Sequence, residues 1–194
     1  MRHASSAIHE VAHHSRQMYL QKVISSGEPG TNEIALRLAQ AAGFDTGGTC
    51  AAHNEPAAGL NVQLEVYPSG MADAYAAQSK ANVDNADGTL AIWIDRSVGV
   101  QRTAAYARSR NWPFPNMIPR IAQANAELPS CYKPLFVVCA YNSTVVDAIL
   151  AFLTGHHICT LNVAGSRETP NAHDADAIRT LLSELFSACA ALKK

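Results

Sequence analysis

Leu161-Asn162-Val163-Ala164-Gly165-Ser166-Arg167-Glu168-Thr169 is the stretch whose reading decides the fold. Residues 158–163 are apolar and rich in β-branched side chains, as a short buried strand requires. Small residues, an Arg and a Glu follow, then Pro170 and Asn171, and helical periodicity begins at Asp174. Open α/β sheets bind their ligands at such a strand-to-helix corner. Exposed N–H groups and the positive end of the helix dipole favour phosphate there. Arg167 offers a planar, permanently charged fork for a phosphate or a carboxylate. Taken alone, the segment reads slightly better as a tight connection in which the glycine only permits the turn.

Working outward, the rest of the chain repeats the same alternation. Residues 21–25 form a strand ending in Ser26-Gly27-Glu28-Pro29-Gly30-Thr31. A helix follows with Thr31 or Asn32 as its N-cap, carries Ile34, Leu36, Leu38 and Ala39, and stops at Gly43. Residues 44–49 read as a short strand and turn, and 50–68 carry no clear period. Residues 72–81 look helical. Asp87-Gly88 announces a strand over 89–94, followed by a loop over 95–100 and a helix over 101–109. A connection holding Pro113, Pro115, Pro119 and Pro129 leads to a strand over 135–140. A helix over 144–153, stopped by Gly155, precedes the opening stretch, and a helix over 174–192 follows it. Strands alternating with helices imply right-handed βαβ units and a mostly parallel sheet. The expectation is an α/β fold, one three-layer domain over residues 21–194, with residues 1–20 a tail or short helix.

The composition narrows the function classes. The chain has 194 residues, 48% hydrophobic and 16% charged, so it folds around a sizeable core. A net charge of −1 supplies no footprint for nucleic acid or an anionic membrane surface. Any anionic ligand must be held by local dipoles and a few residues. The five cysteines are odd in number and lack CxxC spacing, which argues against a disulfide framework and a zinc ribbon. Cys139 and Cys159 fall in strand-like runs and are expected as buried thiols, in keeping with a reducing cytosol. No apolar stretch reaches the ~20 residues of a membrane span. The first twenty residues lack a signal-peptide core. A soluble cytoplasmic protein is the expectation.

Each short motif has a plain alternative. His9-Glu10-Val11-Ala12-His13 matches the zinc-protease pattern HExxH, but no third ligand follows at short spacing and His-rich tails are common solvated surface. The loop Ser26 to Asn32 is neither GxGxxG nor a P-loop, although its glycines let a ligand approach the backbone. Asn82 and Asp87-Gly88-Thr89 alone read as turn chemistry. Gly99 with Thr103 marks a second helix-start anion site or a plain helix start, and Arg102 reaches such an anion or is solvated. Trp93 reads as core. Trp112 and Phe114 are a satellite core or subunit contact before a stacking platform for a planar ring. His156 and His157 suit a helix end. No GxSxG context surrounds any serine, so a hydrolase triad has no support.

Together these corners resemble the molybdenum carrier proteins, a circularly permuted branch of the SLOG group of Rossmann-like nucleotide-binding domains. The resemblance runs from Lys22 to Phe186. It is carried by Ser26-Gly27-Glu28-Pro29-Gly30-Thr31, Gly43-Phe44-Asp45-Thr46-Gly47-Gly48, and Tyr75 with Asn82-Val83 before Asp87-Gly88-Thr89-Leu90. Gly99 with Thr103 and Tyr106-Ala107-Arg108, and Leu161 to Glu168, complete it. It implies a Rossmann-like domain, assembled as a homo-oligomer, that binds a small phosphorylated planar ligand. The family's proposed ligand is the molybdenum cofactor, a pterin bearing a phosphate; a nucleotide-like phosphate is the broader class.

On that footing, backbone groups at Gly27, Gly30, Gly99 and Gly165 cradle the phosphate. Thr31, Thr103 and Ser166 supply hydroxyls and Arg167 supplies charge. Asn162 and Asp87 contact ring or sugar edges, Glu168 orients Arg167, and Asn82 and Gly88 complete the set. The chain departs from the family at Glu28, where the family carries Gln, and at Gln78, where it carries a basic residue. The segment 111–133 looks inserted. A binding protein without turnover is the first expectation. A nucleotide-sensing module, or a nucleotide N-glycosidase using Glu28 or Glu168, is the alternative, although the glycosidase branch's PGGxGTxxE signature is missing.

Overall fold

The computed structural model describes residues 20–51, 57, 60, 65–67, 74–94, 97–110, 132–142, 144–166 and 172–193. Strand β1 (Lys22–Ile24) leads to helix α1 (Thr31–Ala41), then to β2 (Asp45–Gly47) and β3 (Thr49–Ala51). Next come β4 (Glu65–Tyr67), α2 (Ala74–Asp84), β5 (Gly88–Ile92) and α3 (Val98–Ser109). Strand β6 (Leu135–Val138), α4 (Val145–Gly155), β7 (Thr160–Ala164) and α5 (Ala172–Ala191) complete the described elements.

Five strands form one sheet in the order β2-β1-β7-β5-β6, and every neighbouring pair is parallel. Helices α1, α4 and α5 pack together on one face, while α2 and α3 adjoin each other on the other. The side-chain period of two sends each strand into both cores. Leu90 and Ile92 of β5 join the larger core with Leu181, Leu182 and Leu185 of α5, whereas Ala91 meets Val100 and Ala104 of α3. In β6, Phe136 and Val138 face the first core, and Leu135 and Val137 the second. Leu20 and Phe44 also enter the larger core, Phe44 with its ring 5.8 Å from that of Phe186. The chain is thus a single Rossmann-like α/β domain. Among the described strands its main sheet is wholly parallel.

The structure supplies a second sheet that the sequence did not announce. β3 and β4 pair in parallel, with Thr49 opposite Glu65 and Ala51 opposite Tyr67. Each has three residues, too few to display a period. Asn82 of α2 closes the open side of β3 as another strand would. Its Oδ1 accepts from the Thr49 amide at 2.8 Å and its Nδ2 donates to the Thr49 carbonyl at 3.0 Å.

Other expectations need correction. Helix α1 takes Gly30 as its N-cap, which has no side chain to cap with, and the Asn32 side chain bonds to Ser26 and Gly165 instead. Helix α3 starts at Val98, three residues earlier than its apolar period suggests, because Ser97 accepts from the Val100 amide at 3.3 Å. Helix α4 runs through Gly155, and the turn falls to His156 and His157, the latter at φ 54°. Cys139 is exposed, because β6 ends at Val138, and Cys159 is half-buried ahead of β7. The HExxH match, Trp112 and Phe114 lie outside the described residues. Among the described residues no helix is long and apolar enough to cross a membrane.

Candidate functional site

All five strands of the main sheet point their carboxyl ends the same way. The connections after β1 and β7 lead to α1 and α5 on one face, and the connection after β5 leads to α3 on the other. They part between β7 and β5, the kind of switch point where α/β sheets hold ligands. A cleft of about 420 Å³ opens there, lined by the loops after β1 and β7, the start of α3 and one side of α2. That volume suits a small molecule.

The loop after β1 forms a nearly buried polar floor. Ser25 Oγ donates to the Val163 carbonyl at 2.7 Å and ties the loop to β7. Glu28, only 4% exposed, accepts from Ser26 Oγ at 3.1 Å and from Gln78 Nε2 at 3.3 Å. Asn32 Nδ2 donates to Ser26 Oγ at 2.8 Å, and Asn32 Oδ1 accepts from the Gly165 amide at 3.1 Å. The first amides of α1 are also engaged within the protein: Thr31 N donates to Ser166 O and Glu33 N to Glu28 O, both at 3.0 Å. Burial, aided by the nearby Glu28 charge, holds the Cys50 thiol above its ordinary pKa.

The start of α3 is different. Ser97 Oγ takes the Val100 amide, while the amides of Val98 and Gly99 have no acceptor among the described residues. Thr103 Oγ1 donates back to Gly99 O at 3.1 Å, leaving the oxygen's lone pairs open to a donor. Arg102 is the only cationic side chain among the described residues that line the cleft. On the opposite wall, Gln78 is 2% exposed and its Oε1 has no hydrogen-bond partner among the described residues. Asn162, equally buried, donates to Thr89 Oγ1 at 3.3 Å.

Of the residues singled out in the sequence, Asn82, Gly99, Thr103, Asn162, Gly165 and Ser166 meet in this cleft. Gly27, Gly30 and Thr31 flank the floor without being among the residues that line it. The Gly27 carbonyl accepts from the Ala57 amide at 3.0 Å, and Gly27 and Gly30 both take positive φ. Asp87 and Gly88 sit at the far end of β5, one strand length from the cleft. Asp87 Oδ2 accepts from the amides of Cys159 at 3.0 Å and Thr160 at 2.7 Å, capping the amino end of β7. A Cβ on Gly88 would crowd the Ile158 side chain. Their placement at the amino edge of the sheet rules out contact with a ligand in the cleft. Arg167 and Glu168 lie outside the described residues. The sequence reading passed over Ser97, although a serine one residue before an apolar-periodic run is an N-cap signal. It noted Gln78 only as a departure and Glu28 as a departure and a candidate glycosidase carboxylate, and the contact between these residues 50 positions apart has no local signal.

Residues 23–186 match the circularly permutated YpsA SLOG family. The fold matches the crystal structure of a protein from Syntrophus aciditrophicus SB named "putative molybdenum carrier protein". The TM-score is 0.60 at 23% identity, covering 87% of this chain and 95% of that one. At that identity the likeness carries the fold alone. No curated protein matches the chain by sequence. The matched span holds every segment that lines the cleft, and the chain belongs to the circularly permutated YpsA SLOG family.

Proposed function

We propose that this chain binds a small phosphorylated, planar molecule in the cleft, as a carrier or binding protein without turnover. One observation carries the proposal. The cleft sets two α3 amides that have no acceptor among the described residues, and the Arg102 guanidinium, on one side, opposite the polar floor. A helix amino end with an adjacent guanidinium is a site for phosphate. The amides of Thr31, Glu33 and Gly165 are already engaged and the one cationic side chain among the described residues lining the cleft, Arg102, stands on α3, which favours α3 for the phosphate.

A phosphorylated pterin such as the molybdenum cofactor fits the donor set. Its phosphate would meet α3 and Arg102, and its ring the polar floor. When bound, that group would bring the metal; among the described residues no cluster of His, Cys, Asp or Glu is arranged to ligate one. The buried Glu28 carboxylate favours a second reading, a nucleotide N-glycosidase, since that chemistry needs a carboxylate beside the ribose. A nucleotide sensor is the third. Assembly as a homo-oligomer and a cytoplasmic setting belong to the proposal on the family resemblance and composition.

Native mass spectrometry of the purified protein separates the three. Retained pterin supports the carrier, retained nucleotide the sensor, and release of free base from nucleoside monophosphates the enzyme. Arg102→Ala is expected to weaken binding of a phosphorylated ligand about tenfold, the usual order for a charged hydrogen bond. If neither Arg102→Ala nor Arg167→Ala changes affinity for any phosphorylated candidate, the proposal fails.

A further inference from the structure

Trp93 does more than fill the smaller core. Its ring packs against Ala91, Val100 and Ala104 there, and its backbone amide donates to the Val138 carbonyl at 2.7 Å. An indole N–H taken out of water needs an acceptor. Here Trp93 Nε1 donates to the Ser97 carbonyl at 3.1 Å, across the turn that leads into α3. The same carbonyl accepts from the Gln101 amide at 3.2 Å, as the first bond of the helix ladder. Both lone pairs of that oxygen are therefore taken.

The Ser97 carbonyl and the Val98 amide belong to one peptide unit, planar and trans, so the C=O and the N–H point in opposite directions. Holding the oxygen from two sides fixes where the Val98 N–H points. It also polarises the unit, since a group that accepts hydrogen bonds at one end donates a stronger one at the other. Val98 is 59% exposed and lines the cleft, and its amide has no acceptor among the described residues. At the next position, a Cβ built on Gly99 would meet nothing within 4 Å, so an anion has room to approach. We propose that Trp93 is a positioning residue for the cleft. It orients and strengthens the Val98 N–H as a donor to a ligand's phosphate, and its own indole N–H responds to that contact.

The proposal rests on the phosphate-binding reading above and adds to it a residue that is not among those lining the cleft. Asn162 is a separate sign that the cleft is built for a guest. It is 2% exposed and lines the cleft, its Nδ2 is engaged with Thr89, and its Oδ1 takes no donor among the described residues.

Proton–nitrogen NMR titrations with inorganic phosphate and with adenosine monophosphate test it. In the wild type the Val98 and Gly99 amide protons are expected to move downfield on binding. The Trp93 indole proton should move with them over the same range of concentration. Trp93→Phe keeps an aromatic ring on the smaller core and removes the donor. It is expected to weaken both probes about threefold, as the partial loss of one charge-assisted hydrogen bond would. It should also shrink the Val98 shift and spare the Gly99 shift, because only Val98 shares its peptide unit with the Ser97 oxygen. A purely structural Trp93 would loosen the whole first turn, and equal loss of both shifts overturns the proposal. Unchanged affinity in the variant overturns it too. If the variant fails to fold, the wild-type titration decides. Movement of Val98 and Gly99 without the indole overturns the proposal and leaves the phosphate site standing. No movement of either amide with either probe overturns the phosphate site itself, and the proposal with it.

Discussion

Gly165 has no room for a side chain: a Cβ there would overlap Cβ and Cγ2 of Thr31, itself fully buried. Its place is therefore set by the packing of the β7 corner onto the start of α1. Gly165→Ala is expected to destabilise the protein by about 1–3 kcal/mol, the range for overpacking a filled site, as read by urea denaturation. An unchanged midpoint would show that the corner yields freely. Residue identity made this corner visible in the sequence, since small residues between a strand and a helix mark a connection. The partner that demands the glycine lies 134 positions away at Thr31, and no local pattern announces it. Asn32 shows the same limit. Its position suggests a cap, but its amide links Ser26 to Gly165, a contact that exists only once β1 and β7 are neighbours.

At the scale of elements, α3 carries the donor side of the cleft, and its first turn depends on Ser97. Ser97→Ala removes the acceptor for the Val100 amide and is expected to cost about 1 kcal/mol of stability. Affinity for a phosphorylated ligand should fall with it, and titration of the variant checks both. The end of α4 supplies a pH response. His156 packs against Phe152 and Tyr132, with ring centroids 5.2 and 5.9 Å away. Burial, and then the neighbouring His157, hold its pKa below the ordinary 6.5. The unfolded chain therefore binds the proton more readily than the folded one. The contribution is fully present above the ordinary value and is lost as pH falls through the depressed one. Thermal unfolding from pH 7.5 down to 5 should show a stability loss that His156→Gln reduces; parallel curves would contradict it. The long helices and buried strands were legible because apolar residues recur at the right periods. β3 and β4 were not, being held by pairing and by Asn82 instead of by a pattern of their own.

For the whole molecule, a ligand that binds only the folded state raises its stability by about 2.7 kcal/mol at a hundredfold excess over Kd. The melting temperature should therefore climb with ligand concentration, and Arg102→Ala should shift that curve to higher concentration. The α/β class was readable because strand and helix alternate along the chain. The cleft was only half readable: its α3 and β7 portions follow from local motifs, whereas its opposite wall needs α2 brought over the β1 loop. Those opposed walls rest on separate foundations. Val100 and Ala104 seat α3 on the main sheet, whereas Asn82 fastens α2 to the small one. Asp84 bridges them, accepting from Tyr106 at 2.8 Å and pairing with Arg110 at 2.9 Å. The molecule is in effect a caliper, with Asp84 setting the gap between its jaws. Asp84→Ala should change the length of ligand that the jaws grip far more than it changes the melting temperature.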